Sequence, residues 1–136
     1  SATERYYVDS VLDYCWGGYW YRVIGNEGPG SMNATSQSNR IYLIQPPLLH
    51  VPNAFTPNGD GLNEQWGIVP VFVKEYHVQV YDRWGGKVYD SNNVKTDWDG
   101  FYKDALEPNS VYVYWIKFTG WDRSIHHRRG TVTILK

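Results

Sequence analysis

A single cysteine, Cys15, stands among 136 residues, so no disulfide can close within the chain and cysteine spacing gives no redox framework. No run of about 18 apolar residues occurs, and no helical membrane span is expected. The opening SATERYY has neither a basic stretch nor an apolar one, so it lacks the parts of a secretory signal peptide. Its abrupt start reads as that of a fragment of something longer. One-sided charge is missing too: 13 Lys and Arg against 14 Asp and Glu leave a net charge of −1. That is too little to hold a nucleic-acid backbone or an anionic membrane surface. Helical periodicity is the last absence, because no segment sustains apolar residues at i, i+3, i+4 and i+7, and 13 Gly and 7 Pro interrupt the chain.

Aromatic residues are abundant instead. Seven Trp and twelve Tyr favour half-buried pleated surfaces, and a chain of this length can bury about two-thirds of its unfolded surface. Tyr19, Tyr21 and Val23 alternate with Trp20 and Arg22, NEGPGS supplies a turn, and SNRIYLIQ reads as the returning strand. Gln45-Pro46-Pro47 ends this hairpin-like pair and sets the expected boundary between residues 1–46 and 47–136. A second hairpin follows, with Tyr76, Val78 and Val80 on one face and Arg83-Trp84-Gly85-Gly86 turning into Lys87 to Tyr89. Asp99-Gly100 and Pro108-Asn109 mark turns before Val111 to Thr119, the longest apolar run, which reads as a central strand. GWDRSIHHRR reads as a polar hairpin tip leading to a final strand, Gly130 to Lys136. The expected fold is all-β, with an immunoglobulin-like β-sandwich in 47–136. The first 46 residues hold only about three strands, too few to close a sandwich. The spacing of Leu12, Tyr19 to Val23, Gly28 to Ser31 and Ser38 to Leu43 resembles the last strands of a fibronectin type III or immunoglobulin-like module.

Few residues suggest chemistry. In VPNAFTPNGDGLNE, Val51 to Glu64, the oxygens of Asn58, Asp60 and Glu64 alternate around glycine as in a calcium loop. Thr56 stands where such a loop wants a carboxylate, and the later bidentate Glu is missing. The favoured reading is a turn in which Asn58-Gly59 and Asp60-Gly61 supply positive φ and the Asn and Asp side chains cap their own backbone. No cofactor is expected, with calcium kept as the minor alternative. A phosphate cradle would need a GKS or GKT ending and a following helix, and neither is present. His50, His77, His126 and His127 form no catalytic pattern, and Asp97 and Asp99 around Trp98 read as turn formers rather than an acid and base. No enzyme is expected. Cys15 has no adjacent cation and reads as a small buried hydrophobe. His126 to Arg129 concentrates positive charge, which either docks an acidic partner or stays solvated. Among the aromatics, Trp66, Trp84, Trp98 and Trp121 are candidates for partial exposure, which leaves a carbohydrate-binding or adhesive module as the alternative function. For Trp84 and Trp98 the competing reading is a ring folded over glycine at the end of the sandwich.

Four blocks in order carry a resemblance to a known family. VPNAFTPNGDGLNE, then YHVQVYDRWGGKVYDS at Tyr76 to Ser91, WDGFYKDALEPNSVYVYWIKF at Trp98 to Phe118, and GTVTILK at Gly130 to Lys136 resemble the gliding motility-associated C-terminal domain. This is the type B sorting domain of the Bacteroidetes type IX secretion system. Lys136 replaces a more usual arginine, and Ser110 stands where glycine often follows the proline. The resemblance implies a non-catalytic address that directs a large surface protein, such as a gliding adhesin, through the outer-membrane translocon with a PorP-type partner. The cargo would be exported to the cell surface or secreted. On the reading that rigid turns present a fixed surface to a receptor, the candidate recognition residues are Phe55, Thr56, Pro57, Asn58, Gly59, Asp60, Gly61 and Asn63 in the first block; Asp82, Arg83, Trp84 and Gly85 in the second; Trp98, Asp99 and Gly100 in the third; and Arg128 and Arg129 before the last strand, itself a candidate for edge pairing with a receptor strand.

Overall fold

The computed structural model describes residues 8–30 and 34–136; the SATERYY start and Ser31, the end of the turn expected at Gly28 to Ser31, lie outside them. Among the described residues there are thirteen strands and no helix. Strands β1 (Gly18–Tyr21) and β2 (Ile24–Asn26) run out, and β3 (Thr35–Gln37) and β4 (Ile41–Ile44) return, pairing β1 with β4 and β2 with β3. This is the hairpin read from the Tyr19 to Val23 alternation. It breaks at Val23, whose N–H donates to the Ser38 hydroxyl and whose carbonyl accepts the Ser38 N–H, both at 2.8 Å.

After Pro46-Pro47 come β5 (Leu48–His50), β6 (Ala54–Phe55), β7 (Val69–Val71), β8 (Val73–Tyr81), β9 (Lys87–Ser91), β10 (Phe101–Tyr102), β11 (Ala105–Leu106), β12 (Val111–Gly120) and β13 (Ile125–Ile134). One sheet has the order β6-β13-β12-β8-β9. Its centre is β12, the apolar run, in register with β13 from Val111↔Thr133 to Thr119↔Ile125 and with β8 from Val113↔Tyr81. The second layer is made of β5 with β7, β10 with β11, and a bridge between Trp66 and Trp98. Between β5 and β6 the chain switches layers, which is how sandwich corners are turned.

The period of two decides the core. Tyr112, Tyr114, Ile116 and Phe118 point inward beside Val78, Val80, Val132 and Ile134, while Val111, Val113 and Trp115 face out. Phe55 at the edge of the same sheet and, from the other layer, Leu49, Trp66, Ile68 and Trp98 close the core, each contributing about 1.5–3 kcal/mol or more on full burial. This is the two-layer β-sandwich expected from the strand spacing.

Two local expectations are corrected. The hairpin tip is only Trp121 to Ser124, and His126 to Arg129 lie within β13, from Phe118↔His126 to Trp115↔Arg129. The turn closes early because Gly120 N–H donates to the Ser124 carbonyl (3.0 Å), Asp122 accepts the Ser124 N–H (2.9 Å) and Arg123 takes a φ of 64°. Cys15 is exposed rather than buried. Its carbonyl accepts the Trp121 indole N–H (3.1 Å), Trp16 stacks on Trp121 at 4.8 Å, and Phe72 N–H donates to Tyr14 (2.8 Å). The N-terminal segment thus abuts the Trp121–Ser124 end of the sandwich. None of its described large apolar side chains is buried.

Candidate functional site

Register brings distant segments together. Because β13 is antiparallel to β12, β12 to β8 and β8 to β9, the start of β12, the end of β13 and the β8–β9 turn share one end of the sheet. The parallel pairing of β6 with Thr133 and Ile134 delivers the loop after Phe55 to the same end. This end lies opposite the Trp121–Ser124 turn that meets the N-terminal segment. A recess of about 90 Å³ there lies between Arg83-Trp84 and Glu107 to Ser110.

The first loop is wound around its own carboxylates. Glu64 accepts the N–H groups of Gly59 (2.9 Å) and Gly61 (2.8 Å), and both glycines sit near φ +83°, where a side chain would be strained. Asp60 accepts the Leu62 N–H (2.8 Å) and the Asn58 amide (3.1 Å), which together hold its carboxyl below the usual carboxylate range. Asn58 in turn accepts the Asp60 N–H (3.0 Å), and Thr56 closes the loop through Asn63 and Leu62. The oxygens that matched a calcium pattern are therefore engaged by the loop's own donors. Among the described residues no three His, Cys, Asp or Glu side chains are placed to hold a metal. We expect neither added calcium nor EDTA to move the melting temperature; a calcium-dependent rise would show that the ion displaces these amides.

The β8–β9 turn is held the same way. Asp82 accepts the N–H groups of Trp84 and Gly86, each at 2.8 Å, and exchanges backbone bonds with Gly85 and Gly86. Trp84 is left 76% exposed, with the Arg83 guanidinium 4.2 Å from its ring centroid. Beside it, Tyr112 donates to Glu107 (3.0 Å) and the Pro108 carbonyl (2.9 Å), tying the Glu107–Ser110 loop to the core. Pro108-Asn109 signalled that turn, but nothing local ties it to Trp84.

Of the other candidate residues, Phe55, Trp98 and Gly100 are buried beneath this end. Asp99 caps the Phe101 N–H (3.0 Å), and burial pushes the Asp97 carboxyl up, so the two acids have separate tasks. Arg128 and Arg129 point to opposite faces of the sheet; Arg128 reaches inward to the Leu49 carbonyl at 2.7 Å. Of the four tryptophans singled out, Trp66 and Trp98 are core, Trp121 is half-buried and Trp84 is exposed. The histidines are scattered: His77 pairs with Asp90 at 2.6 Å, His126 meets the Ser124 hydroxyl, and His127 stacks on Trp115.

The fold is a two-layer β-sandwich whose carboxylate-capped turns share one end, where Trp84 stands exposed beside Arg83. The family model described as the CHU_C type IX secretion signal domain matches residues 49–134, and the chain belongs to this family. Among curated proteins none matches the chain.

Proposed function

We propose that the sandwich is a folded export address, read by the type IX translocon and a PorP-type outer-membrane partner at the end that carries Thr56–Glu64, Asp82–Gly86 and Glu107–Ser110. Its cargo is a large surface protein such as a gliding adhesin, which it helps retain at the cell surface. The convergence of these loops at the end opposite the Tyr14–Trp16 contact with Trp121 and Phe72 carries the reading. Internal carboxylate caps preorganise the loops, so binding does not bear the roughly 1–2 kcal/mol per residue that ordering a flexible tail would cost. Trp84 with Arg83 is the expected anchor, since exposed Trp and Arg dominate interface energetics.

The test places the 136-residue chain behind a signal peptide and reporter in a host that has this secretion system. A folded fusion retained in the periplasm would end the export reading. Trp84→Ala, which removes no core contact, is expected to leave the melting temperature unchanged and reduce surface delivery tenfold or more; wild-type delivery would move the reading surface elsewhere. Glycan binding lost in Trp84→Ala, with delivery intact, would favour the carbohydrate-binding alternative.

A further inference from the structure

Strand β13 is paired along its length on one side only. Toward β12 it pairs from Ile125 to Thr133. On the other side β6 takes up Thr133 and Ile134 alone, and among the described residues no strand pairs there with 125–132. The direction of the free groups follows from two bonds: Thr133 N–H donates toward β6, to Asn53 (2.9 Å), while Ile134 N–H donates the other way, to Ser110 (3.0 Å). Backbone groups of an antiparallel ladder alternate in this manner. The N–H and C=O of Ile125, His127, Arg129 and Thr131 therefore point into an unfilled lane roughly 20 Å long, in line with the one β6 occupies.

Two further observations describe what fits the lane. A cleft of about 360 Å³ lies between β13 and the β5–β7 pair, with Leu49, Val51 and Val69 among its walls and Arg128 reaching across to the Leu49 carbonyl. The edge also carries fixed charge of one sign, from Arg128 and Arg129, with Lys117 on the neighbouring strand. His126, His127, Arg128 and Arg129 follow one another, and Lys117 lies opposite His127. Among the described residues the ion pairs are His77–Asp90 and Lys87–Asp90, neither of which engages Lys117, His127 or Arg129. Charges on an open edge discourage indiscriminate pairing, and a basic guard still admits an acidic strand. A second copy of this edge would set the same cations against each other.

We propose that the open edge of β13 accepts an extended acidic segment of a partner protein as an added strand. Its carboxylates lie beside His127 and Arg129 on the outer face, and an apolar side chain enters the cleft beside Arg128. This goes beyond the export reading and does not rest on it: the loop end could be read in export whether or not this edge is filled.

The probe is a blocked octapeptide, (Asp-Val)4, titrated into the 136-residue chain at low salt and followed by amide resonances, with (Lys-Val)4 as control. Expected are shifts centred on Ile125, His127, Arg129 and Thr131, affinity at least tenfold above the control, and weakening with salt. His127→Pro removes one outward N–H, a position at which edge strands tolerate proline. It should keep the fold and reduce binding tenfold or more. Should that variant fail to fold, Arg129→Glu decides the matter by reversing the preference between the two peptides. No binding at millimolar peptide, equal binding of the basic control, shifts away from this edge, or dimerisation of the free chain through it would each overturn the proposal.

Discussion

Trp98→Ala is expected to lower the stability of the sandwich by about 3–5 kcal/mol, the usual range for removing a buried Trp or Phe. Trp98 is 1% exposed and meets four aromatic neighbours: Phe55 at 5.5 Å, Tyr112 at 5.3 Å, Tyr89 at 6.0 Å and Trp66 at 6.5 Å. Its indole N–H also donates to the Phe101 carbonyl (3.3 Å), and its backbone carbonyl accepts from Trp66 N–H (2.7 Å). The side chain therefore joins the second layer to the sheet directly below the loop end. Small domains are held by about 5–15 kcal/mol in all, so the loss consumes much of the total. Thermal denaturation should show the midpoint falling by more than 10 °C, with surface delivery lost along with the fold. A fall of only a few degrees would mean that the indole is not the centre of the core.

Gly130→Val should destabilise the domain by about 1–3 kcal/mol or more, the range found for overpacking. Local propensity points the other way, because a glycine inside a strand is weak and valine is a favoured strand residue. The packing decides the sign. Gly130 lies opposite Tyr114 on the inner face, and a Cβ there would stand 2.5 Å from the Tyr114 hydroxyl and 2.8 Å from its ring. The ring packs against Trp66 at 5.1 Å, so it cannot swing away without opening the core. Urea denaturation of Gly130→Val, Tyr114→Leu and the double variant forms a cycle in which the double variant should lose less than the sum. Additive losses, or a stabilised Gly130→Val, would refute the close approach.

Legibility in the sequence differs from element to element. The β8–β9 hairpin and β12 were readable because an alternating Tyr-Val pattern and a Trp-Gly-Gly turn are local signals. His126 to Arg129 misled because four polar residues so soon after Trp-Asp-Arg-Ser, with only Ile125 between, resemble a loop; the short turn set by Asp122 and Arg123 extends the register through them instead. The asparagines, aspartate and glycines of the first loop could be assigned to a turn, but Glu64's capture of Gly59 and Gly61 depends on how the chain coils back, which spacing does not report. Trp66 and Trp98 could not be told from Trp84 by composition, since all three stand beside glycine or a polar residue and only packing against the five-stranded sheet buries two of them.

By itself the sequence determined the all-β class, the turn-forming segments and the ordered blocks that mark the family, because alternation, turn chemistry and block order are properties of neighbouring residues. Tertiary structure alone decided that the loops after Phe55, Tyr81 and Leu106 meet at one end. It also decided that Phe55, Trp98 and Gly100 lie beneath that end and that β13 keeps an open edge. The reason is physical: these outcomes follow from pairings such as Ala54 with Thr133 and Val113 with Tyr81. Such long-range register is chosen by burial of a common core, and no local pattern encodes it.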